Sequence, residues 1–273
     1  WSEQRVRARL GPQIDSMASE LNNQLQQLLA GTHPVLRLHA SHGYAVALLP
    51  EFSDRLELDL RYCNQSDALL ALDRGDCDIA SFHLPTCPDL AARARANHDS
   101  LLADDDLRII RFVTRREGLM TRRGHKPAIT GLADLTRPGL TFINRDQHSG
   151  TRFLFRMLLE QQGLAEHDIR GAQREEFTHS AVAAHVAAGM ADAGFGVEMA
   201  AHQFSLDFLH LATEHYFLVC HTDSLAQNNL RKLLELMRSD TFLEAIGKLP
   251  GYQPDRCGEV CTFSELLAST RAE

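Results

Sequence analysis

The nine residues Asn144-Arg145-Asp146-Gln147-His148-Ser149-Gly150-Thr151-Arg152 set amide, carboxylate, imidazole, hydroxyl and guanidinium groups side by side. They follow a short apolar run (Leu140, Phe142, Ile143) with the character of a buried strand, and precede residues 153–159, which have the character of a helix. A strand that runs through Ser-Gly-Thr into a helix puts hydroxyls and free backbone N–H groups at the positive helix end, where anions bind. Gly150 has no Cβ to keep the backbone away from whatever sits there. The same Ser and Thr also suit an ordinary N-cap that needs no ligand.

Three further turns repeat the theme. Ser41-His42-Gly43 and Ser81-Phe82-His83 leave the first and third expected strands, and Thr178-His179-Ser180-Ala181 precedes a later helix. Four such turns spread over two lobes are what an anion cleft between lobes needs. Hydrogen bonds to a charged group contribute about 1.5–3 kcal/mol each, so five or six give a site of about micromolar affinity after ordering costs. The candidate hydroxyl or backbone donors are Ser41, Ser149, Gly150, Thr151 and Ser180, with Arg152 and His42 adding charge or a further donor. His83, His179, Tyr216 and Asn144 complete the candidate lining. Arg145 belongs either to it or to an internal ion pair with a carboxylate such as Asp78. Ser149 and Thr151 as pure caps, and His42 and His179 as ordinary loop or core histidines, are the alternatives.

The elements that must position these groups alternate between strand and helix. Residues 35–40 and 56–62 are expected strands, the latter alternating apolar and charged at period two. Residues 44–52 form a helix cut by Pro50, and 65–74 a helix stopped by Gly75. Residues 77–82 are a third strand, 90–106 a solvated loop containing Asp104-Asp105-Asp106, and 107–113 a strand that 118–121 continues. A second set of units runs from residue 140 to about 211, with a helix at 181–189 and a tight turn at 193–196. A late strand at 215–220 and helices at 225–236 and 241–246 close the chain. Repeated β-α-β units imply a parallel sheet with helices on both faces, and such sheets bind ligands beyond the carboxyl ends of their strands.

Over residues 1–30, Val6, Leu10, Ile14, Met17, Leu21, Leu25 and Leu28 recur at helical spacing, interrupted early by Pro12. This leading helix packs either on its own domain or as a connector between copies. The expected division is a linker helix at 1–32, one lobe from 33–110 plus 214–273, and a second lobe at 111–213.

Composition narrows the classes. The 273 residues suit about two domains, and a formal net charge of −8 argues against a nucleic-acid surface on this chain. A local set of donors can still hold a small anion, because distant charges are screened over about 8–10 Å. Six cysteines stand without a CxxC pair or zinc spacing, which points to reduced thiols and a cytoplasmic setting. No apolar run reaches the ~18 residues of a membrane span, and the N-terminus has no basic-then-apolar signal pattern. The chain starts at Trp1, as expected of a processed protein or a fragment of a longer one. No Gly-x-Ser-x-Gly elbow supports an esterase-like enzyme.

Residues 141–152, Thr-Phe-Ile-Asn-Arg followed by a short polar stretch and Ser-Gly-Thr-Arg, resemble the signature of a periplasmic-binding-protein-like domain found fused to winged-helix domains in bacterial molybdate-type regulators. Residues 40–45, 75–83, 178–183 and 191–196 resemble its other ligand segments in the same order, so the likeness spans about 36–225. His148 departs from it, standing where the family often has Gly. Residues 1–30 resemble the linker helix of LysR-type and molybdate-responsive regulators. The resemblance implies an α/β, two-lobed type II periplasmic-binding-protein-like fold with mixed, mainly parallel sheets and a leading linker helix. It implies an effector domain sensing molybdate or tungstate, working as a homodimer without a cofactor, and reaching DNA only through a winged-helix domain that does not precede it here. A solute-binding protein of an ABC transporter for an oxyanion or small carboxylate is the alternative.

Overall fold

In the computed structural model, residues 35–52, 56–96, 105–126 and 128–270 are described, so the leading helix expected over 1–32 lies outside them. Two compact units divide these residues, one formed by 115–213 and the other by 35–114 with 214–270. The first crossing between the units falls at residues 114 and 115, inside a strand.

In the unit of 35–114 and 214–270, β1 (Leu36–Ala40) buries Leu36, Leu38 and Ala40 and turns Arg37 and His39 to the other face. It pairs in parallel with β2 (Leu58–Tyr62) on one side and β3 (Ile79–Pro85) on the other. Central position explains why β3 is buried at every residue. The returning half of β8 (Asp207–His221) pairs antiparallel with β3 in the register His83↔Tyr216. Helix α1 (Tyr44–Glu51) carries Pro50 in its last turn, and α2 (Gln65–Asp73) is followed by Gly75 at φ 72°, a left-handed turn that suits glycine. Helix α3 (Pro88–Ala96) occupies part of the stretch expected to be loop. It buries only Leu90 and Ala94, too narrow an apolar stripe to stand out in the sequence.

In the unit of 115–213, the far half of β4 (Leu107–Thr121) pairs antiparallel with β7 (Ala193–Val197), which lies parallel to β5 (Phe142–Arg145), and β5 pairs with β6 (Glu175–Glu176). The tight turn expected at 193–196 is therefore a strand, buried throughout. Its glycines are packing sites. A Cβ on Gly194 would lie 2.5 Å from Val182 Cγ1, and one on Gly196 would lie 3.0 Å from His179 Nδ1. Those partners sit on α5 (His179–Ala187), which packs on the strand. Helix α4 (Gly150–Gln161) seats Phe155 against Phe142 at 4.9 Å between ring centres, and α6 (Glu198–Gln203) follows β7. The fold is thus α/β with mixed pairing, the type II periplasmic-binding-protein-like class that the sequence implies.

Candidate functional site

Ser41 follows the last residue of β1, at the carboxyl end of a strand held on both edges, and every polar atom of it is engaged by a neighbouring element. Its N–H donates to Ser81 Oγ at 2.8 Å, and its carbonyl accepts from the Tyr216 hydroxyl at 2.8 Å. Its Oγ lies 3.1 Å from His83 Nε2. Cross-strand register brings the last two together: His83 on β3 faces Tyr216 on β8, with ring centres 5.3 Å apart. Gln65 at the start of α2 accepts the His83 N–H at 3.0 Å, and Glu214 Oε2 lies 3.9 Å from His83 Nδ1 with both side chains buried. Ser81 and His83 lie within β3 and do not leave it, which corrects their expected place in a strand-to-helix turn.

This geometry sets what Ser41 can do. With a proton on Nε2, His83 donates to Ser41 Oγ and leaves the hydroxyl hydrogen for an incoming acceptor; with Nε2 bare, the ring consumes that hydrogen. The order hydroxyl, imidazole, carboxylate is that of an activated serine, but the 3.9 Å between Glu214 Oε2 and the ring exceeds hydrogen-bond length. Beyond Ser41 begins α1, whose N-cap Gly43 supplies no side-chain cap. The Tyr44 N–H reaches the Tyr252 hydroxyl at 3.4 Å, while the N–H groups of Gly43 and Ala45 have no acceptor among the described residues. Those N–H groups and the Ser41 hydroxyl are donors at one positive helix end. His42 stacks on Tyr62 at 4.0 Å, packing beside the turn.

In the unit of 115–213 the expected donors are largely committed to protein partners. Ser149 Oγ accepts the Arg152 N–H at 3.2 Å and Thr178 Oγ1 accepts the Ala181 N–H at 3.1 Å, so both residues cap their helices. The Thr151 hydroxyl donates to Glu117 Oε1 at 3.2 Å, and Glu117 in turn lies 3.4 Å from Arg115, with all three buried. Ser180 donates to Gln203, and His179 Nδ1 accepts the Val197 N–H at 3.4 Å. What α4 still offers is the N–H groups of Gly150 and Thr151, which have no acceptor among the described residues, and the Ser149 hydroxyl hydrogen.

Three expected ligand groups instead hold the unit together. Arg152 donates to Glu166 at 2.7 Å, to Glu175 at 2.9 Å and to the carbonyls of Arg145 and Ala172. Asn144 donates to Glu166 and Ala172 and accepts the Arg145 N–H. Arg145 donates to the Phe177 carbonyl at 2.8 Å, while Asp78 pairs with Arg37 at 2.9 Å. A guanidinium with two carboxylates and two carbonyls has its charge met internally, so its pull on an outside anion is small. Gln65, Glu214, Arg115 and Glu117 were missed as candidates. A Glu directly before the Gly118-Leu119-Met120 end of β4 was the available signal for the last of them.

Among the described residues there is no cluster of His, Cys, Asp and Glu that could hold a metal and no helix long and apolar enough to cross a membrane. The six cysteines are unlinked, and burial pushes the thiols of Cys63, Cys77, Cys220 and Cys257 up to about 12, leaving them protonated at neutral pH.

A family model described as a PBP superfamily domain matches residues 48–238. The uncharacterized protein YvgK of Bacillus subtilis is 31% identical over 203 residues, a match that spans 73% of this chain and 64% of YvgK. A phosphate ABC transporter substrate-binding protein of Clostridium perfringens, solved with bound phosphate, is similar in structure at a TM-score of 0.61 and 10% identity, over 81% of this chain and all of that one. Full-length HypT of Salmonella typhimurium, a hypochlorite-specific LysR-type transcriptional regulator, is similar at 0.58 and 15% identity, over 82% of this chain and 75% of HypT. At those identities the structural likenesses speak for the fold.

Proposed function

The chain belongs to the PBP superfamily, and from that premise we propose that it is the effector-binding domain of a bacterial transcription regulator and takes up a small tetrahedral oxyanion, molybdate or tungstate. The observation that carries this reading is the Ser41 turn. A serine clamped by Ser81, His83 and Tyr216 stands at the uncapped start of α1 and presents neutral donors at a positive helix end. Neutral donors suit an anion that accepts at every oxygen, as molybdate, tungstate and sulfate do at neutral pH. Monohydrogen phosphate brings a proton that needs an acceptor. Likeness of fold to a protein solved with bound phosphate supports the anion class, and likeness to HypT supports the regulatory setting. The protein binds without turning over its ligand, needs no cofactor, acts in the cytoplasm as a homodimer, and reaches DNA through a winged-helix segment.

A thermal-shift series over molybdate, tungstate, sulfate, phosphate and small carboxylates tests the ligand class. At 100 times its dissociation constant a ligand adds about 2.7 kcal/mol of stability, which for a protein of this size is a rise of about 5–10 °C in Tm. Molybdate and tungstate are expected to produce it. A shift by carboxylates alone would overturn the oxyanion assignment. The second reading, a solute-binding protein for a transporter, draws on the phosphate-binding likeness. A winged-helix segment encoded in frame before Trp1 would exclude it.

A further inference from the structure

A pocket of about 210 Å³ in the unit of 35–114 and 214–270 takes no part in the oxyanion reading. Its apolar walls are Leu84 and Pro85 at the end of β3, Ala91 of α3, Phe217 of β8 and Leu266 of the last helix (Phe263–Thr270). His215 joins them, two residues before Phe217 and on the same face of β8. The two rings lie 5.3 Å apart and 14° from parallel, which makes one flat wall. One side of the His215 ring is committed. Its Nδ1 lies 2.8 Å from an Asp255 oxygen, and Arg111 places one guanidinium nitrogen 2.6 Å and 2.8 Å from the two oxygens of that carboxylate. An ionised carboxylate can only accept, so in the neutral ring the hydrogen sits on Nδ1 and Nε2 keeps its lone pair. His215 makes no other hydrogen bond among the described residues, and its Nε2 is not sealed off by protein atoms. The pocket therefore combines apolar walls with one accessible acceptor whose tautomer is fixed from behind.

We propose that this pocket binds a phenol, a single neutral ring whose hydroxyl donates to His215 Nε2. The acceptor sets the polarity of the ligand. A carboxylate or an ether oxygen brings no hydrogen to it, whereas a phenolic hydroxyl does. Charge sets the second limit. Asp255 is already met by Arg111, and Asp89, the one carboxylate of the lining, is exposed. A cationic amine thus finds no buried counter-charge in the pocket and leaves water at a cost. Shape sets the third. The volume is below the ~300–1,000 Å³ of pockets for drug-sized molecules, and the flat wall of His215 and Phe217 suits an aromatic ring better than a branched alcohol.

Phenol is the probe, titrated into the full chain by calorimetry at about pH 8, above the ordinary imidazole range, with and without saturating molybdate. Sub-millimolar binding at one site, unchanged by molybdate, is expected, and benzoate should bind at least about tenfold more weakly. Toluene has the shape of phenol and no donor, so it separates the hydrogen bond from the cavity. His215→Asn keeps a donor for Asp255 while removing Nε2, and should lower the preference for phenol over toluene about tenfold. Ala91→Phe, on the half-buried face of α3, fills the pocket and should abolish binding of both rings while the circular dichroism spectrum stays that of the parent chain. Phenol that fails to bind at millimolar levels, or that binds no better than benzoate, would overturn the inference. So would an unchanged preference over toluene in folded His215→Asn, or undiminished binding by folded Ala91→Phe. Displacement of phenol by molybdate would assign it to the Ser41 site and overturn the inference equally. Failure of molybdate to bind leaves the phenol result readable by itself, so the two readings stand or fall separately.

Discussion

Single residues in this chain divide into those that offer something outward and those that serve the fold. Ser149 and Thr151 look alike in sequence to Ser41, yet the structure gives them different work. Ser149 caps α4 and Thr151 feeds Glu117, whereas Ser41 holds its turn open at a helix start that nothing else caps. Ser149→Ala is therefore expected to cost about 1 kcal/mol of stability, the usual loss of a cap, in chemical denaturation of the unliganded protein. Its effect on oxyanion affinity should be smaller than that of Ser41→Ala. Asp255 carries a pH dependence. Burial would raise its carboxyl, but hydrogen bonds from His215 and Arg111 bring it below the usual carboxylate range. The stability it contributes is complete above the ordinary carboxylate pKa of about 3.9 and is lost as pH falls through the lower folded value. Asp255→Asn should thus lower Tm at pH 7 and flatten the acid side of the Tm-against-pH curve. A parallel curve for the two proteins would contradict this. The position of Ser41 at a strand end was legible, because alternation in β1 and the following glycine mark it. The commitment of Arg152 was not, since Glu166 and Glu175 reach it only through the fold.

At the scale of elements, strand and helix order followed from apolar alternation and from glycine stops, and the departures have packing causes. Two glycines two residues apart in Ala193-Gly194-Phe195-Gly196 resemble a turn, but they let α5 close on β7. Helix α3 was hidden because it buries two side chains in nine residues. Gly118 is the sharpest case of an element depending on one missing Cβ. A Cβ there would lie 2.0 Å from the Leu209 carbonyl oxygen, backbone against backbone between β4 and β8. Gly118→Ala must push the strands apart and should cost about 1–3 kcal/mol or more, read as a lower urea midpoint. An unchanged midpoint would mean that the two strands are not held this closely.

Over the whole molecule, a net charge of −8 did not decide the question of anion binding, because donors at a helix end act over a few ångströms and distant carboxylates are screened. The fold class was legible from the order of elements and from the resemblance of five segments, while the identity of the ligand depends on side-chain directions that no spacing encodes. Membership of the PBP superfamily accounts for the fold, and the proposed oxyanion chemistry rests on the Ser41 turn. Calorimetric titration of molybdate into the intact chain, beside Ser41→Ala, tests that claim most directly. Micromolar or tighter binding at one site, weakened about tenfold or more by the substitution, is the expected result. No binding of molybdate or tungstate at millimolar concentration, or equal binding by the folded variant, would contradict it.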